Sequence, residues 1–184
     1  PNAIEWLSPL ASDDYAEYRD AEFLQRIGAG DLAPDLAKFW PQRGPQWDAL
    51  ARTDRGDLLL IEAKAHIGEI LSPGTQAGDT SRPLIEASLA QTANAMGAQP
   101  RAAWSDTLFQ LANRFAHLHF LRSHNRPAWL VLVGFIRDSD MNGPETAREW
   151  DVAYEVAMHV MGLSMRHPLS RYVIHVHPDV ALLI

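Results

Sequence analysis

Cysteine is absent from the 184-residue chain. Disulfide frameworks, thiolate zinc sites and a thiol nucleophile are therefore excluded. Lysine is nearly absent: Lys38 and Lys64 are the only two among 16 basic residues, the rest being arginine. Positive charge is in deficit overall, since 23 acidic residues bring the net charge to −7, and this argues against a surface that holds polyanions by bulk electrostatics. No apolar run approaches the ~20 residues needed to span a bilayer. The opening stretch "PNAIEWLSPLASDDY" has neither a basic n-region nor an apolar h-region. A soluble cytoplasmic protein with no membrane partner is the expectation.

What is present is a large apolar fraction, 47%, enough to form the core of one ordinary domain over residues 1–184. Residues 13–27 read as a helix with Asp13 and Asp14 at its positive end and Gly28 as its stop, and 31–40 as a second, short one. "PQRGPQWDALART" (41–53) reads as turn then strand, and "RGD" (55–57) turns it back into "LLLIEAKAH" (58–66) as an antiparallel hairpin. The Gly- and Pro-rich 68–80 is a loop, and 81–97 a helix stopped by Gly97. Leu108, Leu111, Ala112, Phe115 and Leu118 fall at helical spacing within 105–125. "RPAWLVLVGFIRD" (126–138) is an almost unbroken apolar run and predicts a central strand covered on both faces. A helix opened by Pro144 and Glu145 and closed by Gly162, then a strand in "RYVIHVHPDV" (171–180), complete an α/β order.

The stretch "LLLIEAKAH" carries an anomaly, because Glu62 and Lys64 stand where the apolar run should continue. A strand has period two, so Leu58, Leu60, Glu62, Lys64 and His66 share one face. Hairpin pairing around "RTDRGD" brings Asp48 toward the second half of that strand. Two carboxylates and an ammonium then converge. Carboxylate oxygens, with the carbonyl of Ala63, suit a hard divalent cation such as Mg²⁺ or Mn²⁺, and a lysine beside it can orient a metal-bound water. The competing reading is an edge strand whose charges pair with a neighbour.

"WDALARTDRGDLLLIEAKAH" resembles the PD-(D/E)XK nuclease-like, or restriction-endonuclease-like, superfamily, with Asp48 as the first acidic residue and Glu62-Ala63-Lys64 as the acidic-X-lysine triplet. Trp47 stands where the family's name has proline. The resemblance implies a mixed β-sheet flanked by helices on both faces, in the order helix, three strands, helix, strand, with one short strand either missing or hidden in 39–46. It implies Mg²⁺-dependent phosphodiester hydrolysis on nucleic acid, with Asp48, Glu62 and the carbonyl of Ala63 on the metal and Lys64 assisting the attacking water. The superfamily often adds a polar residue from the following helix, where Gln110, Arg114 and His117 fall on one stripe. Gln110 would join the catalytic set and Arg114 would hold a phosphate. A glutamate from the first helix is also implied, Glu22 fitting better than Glu17.

Plainer readings stand beside these. Gln110 and Arg114 equally describe an ordinary wet helix face. His66 is a strand residue near the site; His175 and His177 share a strand face without an evident third ligand. His117 and His119 point roughly 200° apart on a helix and cannot chelate together. The functional expectation is a nuclease, with a non-catalytic binding or regulatory module of the same fold as the alternative. The acidic balance suggests that a second copy or a partner subunit assists any nucleic-acid contact.

Overall fold

The computed structural model describes residues 3–182. Its elements follow as β1 (Ile4–Ser8), α1 (Asp20–Arg26), α2 (Ala33–Phe39), β2 (Ala49–Thr53), β3 (Leu58–Lys64), α3 (Arg82–Ala95), α4 (Phe109–Ser123), β4 (Ala128–Gly134), α5 (Ala147–Val160) and β5 (Val173–Val176). All five strands form one open mixed sheet whose spatial order equals the chain order. β1, β2 and β3 pair antiparallel, whereas β3, β4 and β5 are parallel. Connection length explains the change of direction. Four residues join β2 to β3, with Gly56 at φ +84° and the Thr53 hydroxyl accepting the Asp57 N–H at 3.1 Å; a parallel crossover needs a helix, and β3 reaches β4 only through α3 and α4.

The α/β class and the predicted hairpin are present, with Ala49 opposite Ile61 and Arg52 opposite Leu58. Three expectations are corrected. Residues 40–48 form no strand; the additional strand is β1, which pairs with β2 across both intervening helices. It escaped the sequence reading because "IEWLS" is five residues long and interrupted by Glu5. The helix predicted over 13–27 begins only at Asp20, because Asp14 and Tyr15 hold positive φ and Arg19 is extended, conformations that cannot continue a helix. The other helices keep their predicted places with shorter ends.

The third correction concerns the faces of the sheet. Even-numbered residues of β3 and β4 point into a helical layer: Arg114 of α4 meets Glu62, and the Trp150 ring of α5 lies against Gly134. Odd-numbered residues point away. Trp6, Leu59, Ile61, Trp129, Val131 and Ile174 form a shallow apolar basin of about 800 Å³ to which no α-helix contributes among the described residues. Ile4, Trp6, Ile174 and Val176 are exposed there. The helices therefore cover one face only, and β4 is buried on one side rather than two. The run "AWLVLVG" is apolar throughout for two reasons: one half of it packs the core, and the other half surfaces the basin.

The core lies between the sheet's even face and the helices, around Trp47, Leu50, Leu60, Phe115, Leu118, Leu130 and Trp150. No helix among the described residues is long and apolar enough to cross a membrane.

Candidate active site

Glu62 and Lys64 lie at the C-terminal end of β3, side by side on the helix-facing side, 3% and 9% exposed. Their partners neutralise them. Lys64 Nζ donates to Glu62 Oε1 at 2.5 Å, and Arg114 takes the other oxygen through Nε at 2.6 Å and Nη2 at 2.5 Å. Arg114 is itself buried. Its Nη1 donates to Asn113 Oδ1 at 2.9 Å, Nη2 donates to the Gln46 carbonyl at 2.9 Å, and the guanidinium lies over the Trp47 ring at 4.9 Å. A buried carboxylate is tolerable only when paired and fully hydrogen-bonded, which this one is.

Asp48 sits immediately before β2 and opposite this pair, as the hairpin register requires. Its Oδ2 accepts the Ala63 N–H at 2.6 Å. Backbone alternation explains that bond. Leu58 N–H and the Lys64 carbonyl bond toward the β4 side, so the peptide groups of odd residues face β2. The ladder between β2 and β3 ends at Ala49 and Ile61. Ala63 therefore extends past it, with Asp48 capping its N–H and its carbonyl facing the same gap. Burial pushes the Asp48 carboxyl above the usual carboxylate range; the Ala63 N–H, Arg114 and Lys64 oppose that rise, and the charge on Glu62 adds to it. Asp48, Glu62, Lys64 and Arg114 sum to zero formal charge.

The remaining predicted residues divide. Gln110 lines, with Tyr154, a cavity of about 10 Å³ over Glu62, Lys64 and Arg114, the lower limit for one water. His117 is not on a wet stripe: it is 2% exposed, its Nδ1 lies 2.9 Å from the Asn113 carbonyl, and Phe23, Phe39, Trp40 and Trp47 surround the ring. Burial lowers its pKa to about 4. Glu22 is exposed on α1 and makes no polar contact among the described residues. Glu17 does connect: its Oε2 accepts from Gln46 Nε2 at 3.0 Å, and the Gln46 carbonyl is held by Arg114. His66 is half-buried beyond the end of β3, and His175 stacks edge-on against Tyr154 at 4.7 Å. His177 lies 3.8 Å from Asp151. No group of three or more His, Asp or Glu side chains is arranged to hold a metal among the described residues.

Sequence reasoning missed several supports of this site. Asp20 accepts the backbone N–H groups of Arg43 and Gly44 at 2.9 and 2.8 Å, holding the loop that leads to Trp47 and Asp48. Glu69 accepts the Ala65 and His66 N–H groups at 2.6 and 3.1 Å and so ends β3 just after Lys64. Tyr154, 2% exposed, closes the cavity from α5. Only Glu69 carried a local signal, as an acidic residue in the turn directly after the charged triplet. No protein-family model, curated protein or solved structure matches the chain.

Proposed function

We propose that the chain is a metal-dependent phosphodiesterase of nuclease type, acting at the shared end of β2 and β3. The observation that carries this reading is the Asp48 carboxylate bonded to the Ala63 N–H, directly beside the buried Glu62–Lys64 pair. The donor set fits a hard cation. Asp48 Oδ1, Glu62 and the Ala63 carbonyl would be its oxygen ligands, since Mg²⁺ or Mn²⁺ accepts one or two protein carboxylates while keeping several waters. Bound there, the ion supplies a polarised water and charge stabilisation on phosphate. Because the four charged side chains already sum to zero, a divalent ion leaves an excess of +2, which a phosphodiester and a hydroxide neutralise. Lys64 would then orient the water, Arg114 fixes Glu62 with its fork, and Gln110 completes the wall.

Purified protein given Mg²⁺ or Mn²⁺ should cleave DNA or RNA, and Lys64→Ala and Asp48→Asn should abolish cleavage while leaving the circular dichroism spectrum native. Failure of the wild type on both substrates, or cleavage indifferent to Lys64→Ala, overturns the reading. A non-catalytic binding or regulatory module is the second reading. It is favoured by the engagement of both Glu62 oxygens by Lys64 and Arg114. Calorimetry separates the two: a catalytic site binds the divalent cation and loses it in Asp48→Asn, and a module binds none.

A further inference from the structure

β3, β4 and β5 run parallel, and parallel strands are ordinarily buried on both faces, because their crossovers put helices there. The odd face of this sheet departs from that rule, since no α-helix among the described residues reaches it. Trp6 is 55% exposed and Ile174 38%, with Leu59, Trp129 and Val131 between them. Apolar surface this continuous is costly in water, and on a folded domain it marks a contact site. Its centre carries no charge. Thr53, Arg55 and Asp57 line one end, at the turn between β2 and β3, and Asp48 lines the other.

Size and charge identify the occupant. Five strands ~4.8 Å apart, the longest of seven residues, span roughly 24 by 20 Å, which with side-chain relief comes close to the ~800 Å² that each partner gives a stable interface. A small molecule matches poorly, because the polar groups stand at the two ends and none converges on the floor to orient one. Two residues at each end of the sequence lie outside the described range, too few to cover five strands. The ends of the basin differ in sign. Arg55 stands at the turn end, where Asp57 is engaged by the Thr53 hydroxyl at 3.3 Å, and Asp48 stands at the other. A twofold axis lying between two such faces and across the strands sets the Arg55 end of each copy over the Asp48 end of the other, so the face is complementary to itself.

We infer that the basin is the contact face of a homodimer, in which two copies of the chain pack sheet to sheet ~10 Å apart about that twofold axis. Trp6, Leu59, Trp129, Val131 and Ile174 of each copy form a second apolar core with the same residues of the other. β3 and β4 are then buried on both faces, which accounts for the unbroken apolar run "AWLVLVG". The dimer is independent of the nuclease reading. It leaves the helix-side cavity over Glu62 and Lys64 uncovered and puts the two Asp48 carboxylates at opposite ends of the shared sandwich.

Sedimentation velocity of the full chain over roughly 1 to 100 μM tests the dimer directly. Wild type should sediment at twice the 20.5 kDa chain mass. Trp6→Ala and Ile174→Asp change exposed positions at which an isolated copy loses little, and each should raise the dimer dissociation constant by about tenfold or more. Arg55→Glu should raise it too, and more at low salt than at high. Val156→Asp is the control, because Val156 is 58% exposed but lies on α5, on the helical side, and it should leave the dimer intact. Far-ultraviolet circular dichroism checks that each variant is folded. A wild type that is monomeric throughout the range overturns the inference. So does a dimer unchanged in both Trp6→Ala and Ile174→Asp, or one that only Val156→Asp dissociates.

Discussion

Arg114 on α4 grips Glu62 on β3, 52 positions earlier in the chain, with two nitrogens on one carboxylate at 2.5 and 2.6 Å. Both side chains are buried, and the pair fastens the central helix to the end of the central strand where the candidate chemistry lies. Removing the guanidinium leaves Glu62 with Lys64 alone in an apolar setting. Arg114→Met should therefore destabilise the fold by about 3–5 kcal/mol, read by urea denaturation. Arg114→Lys, which keeps the charge but not the fork, should lose less. If Arg114→Met unfolds at the wild-type midpoint, the pair has no structural role.

Asp48 has one structural duty that separates from its chemistry, acceptance of the Ala63 N–H at 2.6 Å. An asparagine keeps an acceptor oxygen, whereas an alanine leaves that N–H without a partner. Asp48→Ala should cost about 1–3 kcal/mol of stability and Asp48→Asn distinctly less, although both remove the carboxylate a divalent cation needs. Parallel denaturation curves and cation titrations of the two variants check this ordering.

His117 links stability to pH. Burial among four aromatic rings lowers its pKa to about 4 from an ordinary 6.5, so the folded state disfavours the proton that the unfolded chain accepts. The contribution is complete above the unfolded pKa and is lost as pH falls from about 6.5 through about 4, to a ceiling of about 3 kcal/mol. Unfolding free energy measured across that window should decline in the wild type, and the decline should flatten in His117→Phe. An equal slope in both proteins would place the acid sensitivity elsewhere.

Gly134 permits α5 to close over the end of β4, beside Lys64 with which it is in register. A Cβ there would stand 2.6 Å from the Trp150 ring, a fully buried indole whose Nε1 donates to the Phe135 carbonyl at 2.8 Å. Gly134→Ala should cost about 1–3 kcal/mol by overpacking and alter the near-ultraviolet circular dichroism of tryptophan. A spectrum and midpoint matching wild type would mean that α5 shifts freely.

The sequence by itself determined whatever depends on neighbours along the chain. Period two placed Glu62 and Lys64 on one face of β3, and the short "RTDRGD" turn carried Asp48 to them, because hairpin register follows from turn length. The apolar spacing of 105–125 located α4 for the same kind of reason. Tertiary structure decided the rest. Gln110, Arg114 and His117 looked alike as polar positions on one helix, and only the packing partner distinguished a cavity wall, an ion-pair fork and a neutral imidazole in an aromatic cage. The pairing of β1 with β2 spans two helices, and the all-apolar "AWLVLVG" reads identically whether a helix covers its second face or not. Local periodicity fixes which side chains point together; what lies opposite them depends on contacts across dozens of residues, which no short pattern encodes.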